Sequence, residues 1–177
     1  VRIARSLGAQ DVRTLVSLDS GRTLVPYQGR FEETAGPLVG YIAVKVAGYW
    51  GDMFVTANQR PATSALRHAE AALDALVASA RPGARIAALY AKAVDTLQPF
   101  KLHPVLGASV GHGIGLSLHE GPEFGAAGDN ALVEDGVYAL RVGIADAETG
   151  NILTSAIVRT TTNGAEVLAR LPPIAEG

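Results

Sequence analysis

In LVGYIAVKVAGYWG, the stretch from Leu38 to Gly51, the residues Ile42, Val44 and Val46 alternate with Tyr41, Ala43, Lys45 and Ala47. A period of two sends successive side chains to opposite faces of a sheet, so this stretch predicts a strand with one apolar face. The wider region from Val12 to Val46 is rich in Val, Leu, Ile and Tyr, and Asp19-Ser20-Gly21 and Ala35-Gly36-Pro37 supply turn chemistry within it. It reads as strand territory. After Gln59-Arg60-Pro61 the period lengthens, and Leu66, Ala69, Leu73, Leu76 and Val77 fall on one stripe of a helix that stops at Arg81-Pro82-Gly83. A second helix, from about Ala84, carries Ile86, Leu89, Tyr90, Ala93, Val94 and Leu97 on one side and halts before Pro99. The pair is expected to pack on the sheet.

Beyond a glycine-rich stretch, the segments VEDGVYALRVGIAD, NILTSAIVRTTT and AEVLARL predict a closing antiparallel meander, with Asn163-Gly164 as a type I′ hairpin signal. Strands, then helices, then strands, without strict alternation, favour an α+β domain over a doubly wound sheet.

Composition narrows the functions open to such a domain. The chain has 177 residues, 48% of them hydrophobic, which is enough for one domain with a sizeable core. A net charge of -2 leaves no basic footprint for nucleic acid or an anionic membrane. With zero cysteines there are no disulfides, thiolate zinc sites or cysteine nucleophiles, so any metal must be held by His and carboxylates. That usage suits a reducing, cytoplasmic setting. No apolar run reaches the roughly 18 to 20 residues that span a bilayer, and VRIARSLGAQ is too polar for a signal peptide, so a soluble protein is expected. The first periodic element opens in mid-stride at Val1, which suggests a piece of a longer chain.

The chemistry concentrates in GHGIGLSLHEGPEFG, Gly111 to Gly125. A phosphate cradle would need GxGxxG or GxxxxGK[ST] ahead of a helix, and neither spacing is present. A metal site could draw on His112, His119, Glu120 and Glu123. Seven positions separate the two histidines, an odd number that sends them to opposite faces of a strand unless the glycines bend it. The plain alternative is that the glycines permit close backbone packing around ordinary buried or rim histidines.

GHGIGLSLHEGP closely resembles the signature of the pita-bread family, which includes methionine aminopeptidases, Xaa-Pro aminopeptidases, prolidases and creatinase. GYWGDMFVT resembles that family's GYxSDxTRT, the two helices joined by RPG stand where the family has a helical pair, and TNGAEVL resembles its closing hairpin. The resemblance covers most of the chain from about residue 38. It implies two pseudo-symmetric halves, each with helices on an antiparallel sheet, and a first half here truncated of its helices.

Family enzymes hold two divalent ions with two Asp, one His and two Glu. By the resemblance Asp52 matches the second Asp, and Tyr41 stands where the first should be. His112 matches the His, either Arg141 or Val142 falls at the first Glu, and Ser155 at the second. Two ligands of five carry too little charge for a bridged dimetal centre, so no cofactor is expected, and Mn, Co or Zn enters only if the chain is a working metallopeptidase. Asp52 also reads as an ordinary rim carboxylate. The resemblance gives His119 a substrate-contacting role, as hydrogen-bond donor or general acid. Creatinase hydrolyses a C–N bond without metal through a first-half histidine, but no histidine precedes His68 here. His68 and His103 read as structural, and Glu70 and Asp74 as a solvated helix face.

The catalytic candidates are therefore His112 and His119, with Tyr41, Trp50, Asp52, Glu120 and Arg141 as substrate-binding candidates. Tyr49 and Trp50 read equally as pocket or core aromatics. Three functions follow: a metal-free homologue hydrolysing a small amide or guanidino compound, a non-catalytic module binding a peptide or protein, as histone-chaperone domains of this fold do, or an Xaa-Pro metallopeptidase drawing carboxylates from Asp146 and Glu148. The expected partners are a small molecule or peptide in the cleft and a second copy in a homodimer. Structurally, Gly111 to Leu118 should form one bent strand beside Tyr138 and Leu140, and the sheet face near Leu15 and Val44 should lack a helical cover.

Overall fold

A computed structural model of the chain describes residues 1–17, 19–27, 37–57, 64–146 and 151–171. After a short helix α1 (Arg2–Ser6), four strands form the first sheet: β1 (Asp11–Val16), β2 (Val25–Pro26), β3 (Leu38–Val46) and β4 (Tyr49–Ala57), in the order β2-β1-β3-β4. The β3–β4 turn works because Ala47 and Gly48 both take positive φ, 50° and 87°, which matches the twist of the flanking strands. Alternation along β3 puts Val39, Tyr41 and Ala43 on the inner face and Ile42, Val44 and Val46 on the outer one.

The helical stripes form as their periods predict. Helix α2 (Ser64–Ser79) buries Leu66, Ala69, Leu73 and Leu76, and α3 (Ile86–Leu97) buries Ile86, Leu89, Ala93 and Leu97. The turn residues Ala35 and Gly36 and the start signal Gln59-Arg60-Pro61 lie outside the described residues. Strands β5 (Lys101–Leu102), β6 (Ser109–Gly113), β7 (Glu120–Gly125), β8 (Val137–Ala145), β9 (Ile152–Thr161) and β10 (Gly164–Arg170) make the second sheet, with β10-β9-β8-β6-β7 in order and β5 beside β8. Helix α2 packs on β8, β9 and β10, and α3 on β5, β6 and β7. Leu73, Leu76, Phe124, Leu140, Val142 and Val158 close the main core between them.

The two sheets meet where β4 runs beside β9. There the Phe54 amide donates to Ser155 Oγ at 2.8 Å, and Thr56 exchanges hydrogen bonds with the Leu153 backbone at 2.8 and 2.9 Å. A small cluster of Val39, Phe54, Leu106 and Leu153 fills the seam.

Three expectations need correction. The strand from Gly111 pairs with β8 as expected, Gly111 opposite Leu140 and Gly113 opposite Tyr138, but it ends at Gly113. Residues 114–119 turn back through a bend, and a separate strand starts at Glu120. The last hairpin forms with Thr162 and Asn163 as its turn residues, and Asn163 is not among the described residues with positive φ, so it is no type I′ turn. Leu15 and Val44 lie on opposite faces, because Leu15 pairs with Tyr41 and Val12 with Val44. The outer face, Val44's side, does carry exposed Ile42, Val46 and Val55.

Candidate functional site

Tyr41 and Asp52 come from adjacent strands. Asp52 sits opposite Ala43, which makes Tyr41 its diagonal neighbour on the inner face, and the Tyr41 hydroxyl donates to Asp52 Oδ2 at 3.0 Å. Burial pushes the Tyr41 phenol well above its ordinary value, and the Asp52 charge and hydrogen bond add to the rise, with Arg141 and Arg13 partly offsetting it.

His112 enters from the second sheet and is 1% exposed. Its Nδ1 lies 2.8 Å from the Gly113 carbonyl, which can only accept, so Nδ1 carries the proton and Nε2 faces Asp52 Oδ2 at 3.7 Å. That last distance is too long for a hydrogen bond.

The bend after Gly113 answers the spacing problem. It folds the chain back so that the His119 ring stacks on His112 with centroids 4.1 Å apart and planes 14° from parallel. The Ser117 amide donates to Glu120 Oε1 at 2.6 Å, which ties the bend to the start of β7. Strand β7 then brings Glu123 opposite His112. His119 Nε2 donates to Glu123 Oε2 at 2.5 Å, and Arg141 Nη2 donates to Glu123 Oε1 at 3.1 Å and sits 3.5 Å from Ser109 Oγ. Burial opposes ionisation of Glu123, but the Ser109 hydroxyl, the Arg141 charge and His119 together hold its carboxyl below the usual range.

The choice between Arg141 and Val142 is settled by register. His112 pairs with Ala139, so Arg141, two residues on, shares its face, whereas Val142 is fully buried in the helix-facing core. Ser155 lies opposite Arg141 on β9 and is occupied by the Phe54 amide. Tyr41, Asp52, His112, Arg141 and Ser155 thus converge along the seam between the sheets.

Glu123 is the residue whose part sequence reasoning missed. It was a candidate only as one carboxylate of a metal site, and its role as the link between His119 and Arg141 depends on the β6–β7 pairing. Trp50 and Glu120 stand apart from the cluster, on an adjoining apolar chamber of about 830 Å³. The Arg13 guanidinium and the Lys45 ammonium lie 4.9 and 5.8 Å from the Trp50 ring centroid.

Among the other candidates, His103 is buried, donates through Nε2 to the Gly21 carbonyl at 2.9 Å and accepts the Val105 amide at 3.0 Å. Burial lowers its pKa, and its role is structural. His68 bonds the Ser64 carbonyl within α2 at 2.8 Å. Glu70 and Asp74 are not a merely solvated face: each accepts from Arg170 at 2.5 Å and so fastens α2 to β10. Asp146 follows the end of β8, and Glu148 lies outside the described residues.

A pair of divalent ions fits this donor set poorly. Among the described residues no group of three or more His, Asp and Glu side chains is placed to hold a metal. Asp52 and His112 are the two family ligand positions kept at the seam. Glu123 and His119 beside them are bonded to each other and, through Glu123, to Arg141, and the remaining neighbours are a phenol already bound to Asp52 and a hydroxyl.

Two antiparallel sheets joined at a seam, a helical pair on the second, and a GHG strand feeding a histidine into the seam define the pita-bread fold. The chain belongs to metallopeptidase family M24, whose sequence pattern matches residues 28–164. It is 32% identical over 98 residues to the putative dipeptidase YkvY of Bacillus subtilis (strain 168), covering 55% of this chain and 27% of that protein. The prolidase of Pyrococcus horikoshii OT3 superposes with a TM-score of 0.82 at 20% identity, over 95% of this chain and 51% of that one. Dipeptidase PepE of Mycobacterium ulcerans gives 0.82 at 24% identity, over 96% and 48%. The chain thus spans about half the length of these solved relatives.

Proposed function

We propose that this domain keeps the pita-bread cleft of the M24 family but works without its dimetal centre, taking a peptide or small amide as a ligand of the seam. The observation that carries this reading is the Arg141–Glu123 ion pair. A guanidinium, 16% exposed, supplies the positive charge of the cleft, and Glu123 is turned toward it and toward His119. The Asp52 and Glu123 carboxylates are already bonded to Tyr41, His119 and Arg141, so they are not free to bridge two ions. The metal of family M24 remains a property of the family, and the donors around His112 argue against its transfer to this chain.

A second reading, metal-free hydrolysis of a small amide or guanidino C–N bond, is favoured by one feature. His119 directs Nε2–H to Glu123, which leaves Nδ1 of a half-exposed imidazole available as a general base for water. Dipeptides, including Xaa-Pro, and small amides assayed with and without Mn, Co or Zn, beside a His119→Ala control, separate the readings. Turnover that needs metal overturns both, and turnover that needs His119 but no metal selects the second.

A cytoplasmic setting and a homodimer belong to the same proposal. The first rests on the lack of cysteine and the second on the exposed Ile42, Val46 and Val55. No helix among the described residues is long and apolar enough to cross a membrane. Sedimentation of the native chain beside Ile42→Lys tests the dimer, which should dissociate in the variant.

A further inference from the structure

The chamber beside the seam has a chemistry of its own. Trp50, Ile114, Pro122, Val137 and Ile157 make its wall apolar, and Glu120 is the one acidic or basic side chain among the described residues that line it. None of Tyr41, Asp52, His112, His119, Glu123 and Arg141 takes part, so the chamber is a second site and not an extension of the polar cluster. Its volume, about 830 Å³, lies within the range of small-molecule sites, roughly 300 to 1,000 Å³.

Glu120 is fixed in place. Its Oε1 holds the Ser117 amide at 2.6 Å, while Oε2 takes no hydrogen bond from the described residues. The main chain around it is anchored as well, since the Trp50 amide donates to the Gly115 carbonyl at 2.7 Å. Arg13 and Lys45 lie over the Trp50 ring but do not line the chamber, and Arg13 has Asp11 beside it at 3.7 Å. A carboxylate oxygen held in place beside an apolar wall suits a cationic group carried on an apolar body, which pairs with the carboxylate while the body covers the wall.

We propose that this chamber binds a small apolar amine, its hydrocarbon or aromatic body against Trp50, Val137 and Ile157 and its ammonium on Glu120 Oε2. An anion of the same shape meets like charge there, and a neutral analogue lacks the ion pair. The assignment does not depend on the reading of the seam.

Trp50 is the chain's single tryptophan, so intrinsic emission reports on the chamber directly. Hexylamine, hexanol and hexanoate are titrated into the native chain. Hexylamine should shift the emission and bind about tenfold more tightly than hexanol, with hexanoate weakest. Glu120→Gln, which keeps an acceptor for the Ser117 amide, should bring hexylamine to the affinity of hexanol. Ile157→Phe, checked by circular dichroism for a native spectrum, should weaken all three by filling the space, and His119→Ala should change none of them. Hexanoate binding as well as hexylamine, an unchanged preference in Glu120→Gln, or no emission change up to the solubility of the amine would overturn the proposal. Because His119→Ala bears only on the seam, failure of one reading is distinguishable from failure of the other.

Discussion

The two sheets have the same antiparallel construction and different surroundings. The second carries α2 and α3 on its outer face, where Leu73, Leu76, Leu140 and Val142 are fully buried. On the first, the corresponding face leaves Ile42 37% and Val46 49% exposed. The inner faces divide the labour differently. The first sheet sends Tyr41, Asp52 and Trp50 to the seam and the chamber, while the second sends His112, Glu123, Arg141 and Ser155. The well-buried sheet therefore holds the charged network, and the barely covered one supplies a single carboxylate and its phenol cap. That network is only part-buried, with Arg141 16% and Glu123 46% exposed, and its members come from strands β6 to β8 and the bend before β7, whose backbone pairing sets their spacing.

The comparison is most easily broken through packing. Leu73→Ala should cost about 2–5 kcal/mol, the usual range for a fully buried leucine, while Ile42→Ala on the bare face should cost under about 1 kcal/mol. Urea denaturation of the two variants measures this. Equal losses would mean that the first sheet's outer face is covered in solution.

Metal content sharpens the contrast at the seam. Protein dialysed and analysed for Mn, Co and Zn should hold no stoichiometric ion, and crystals grown with manganese should give no pair of anomalous peaks beside His112. A pair of ions there would restore the metallopeptidase reading and make the Arg141–Glu123 contact a rearranged state.

Two pH experiments then test one sheet each. Tyr41 has a folded-state pKa above its ordinary 10.0, so the folded chain keeps a proton that the unfolded one releases. Its contribution is whole below that value and declines as pH rises above it. Stability should fall on the alkaline side more steeply in the native chain than in Tyr41→Phe. Glu123 is shifted the other way, so its contribution is whole above the ordinary carboxylate value and is lost as pH falls through the lower folded one. Glu123→Gln should flatten the acid limb by a small amount, because the carboxylate is 46% exposed and solvent screens the pair. Denaturation midpoints across pH measure both, and an acid limb left unchanged by Glu123→Gln would mean that the Arg141 contact contributes nothing to folding.

Much of this arrangement was legible along the chain, for local physical reasons. The period-two run of β3 and the two helical stripes state which faces are buried, since burial follows side-chain direction and direction follows backbone period. The GHG signature pointed to the fold, and the resemblance set Tyr41 and Ser155 at two of the family's carboxylate positions. What only the tertiary structure decided involves contacts between segments. Whether Arg141 or Val142 enters the cleft depends on the register of β8 against β6, and a slip of one residue would exchange them. The stack of His112 on His119 requires the chain to turn back after Gly113, and the link from the local His119–Glu123 pair to Arg141 joins the β7 stretch to β8, two segments whose spacing in sequence carries no trace of their contact. Helix and strand periods are properties of neighbours along the backbone. A charge network is a property of neighbours in space, and packing alone sets those.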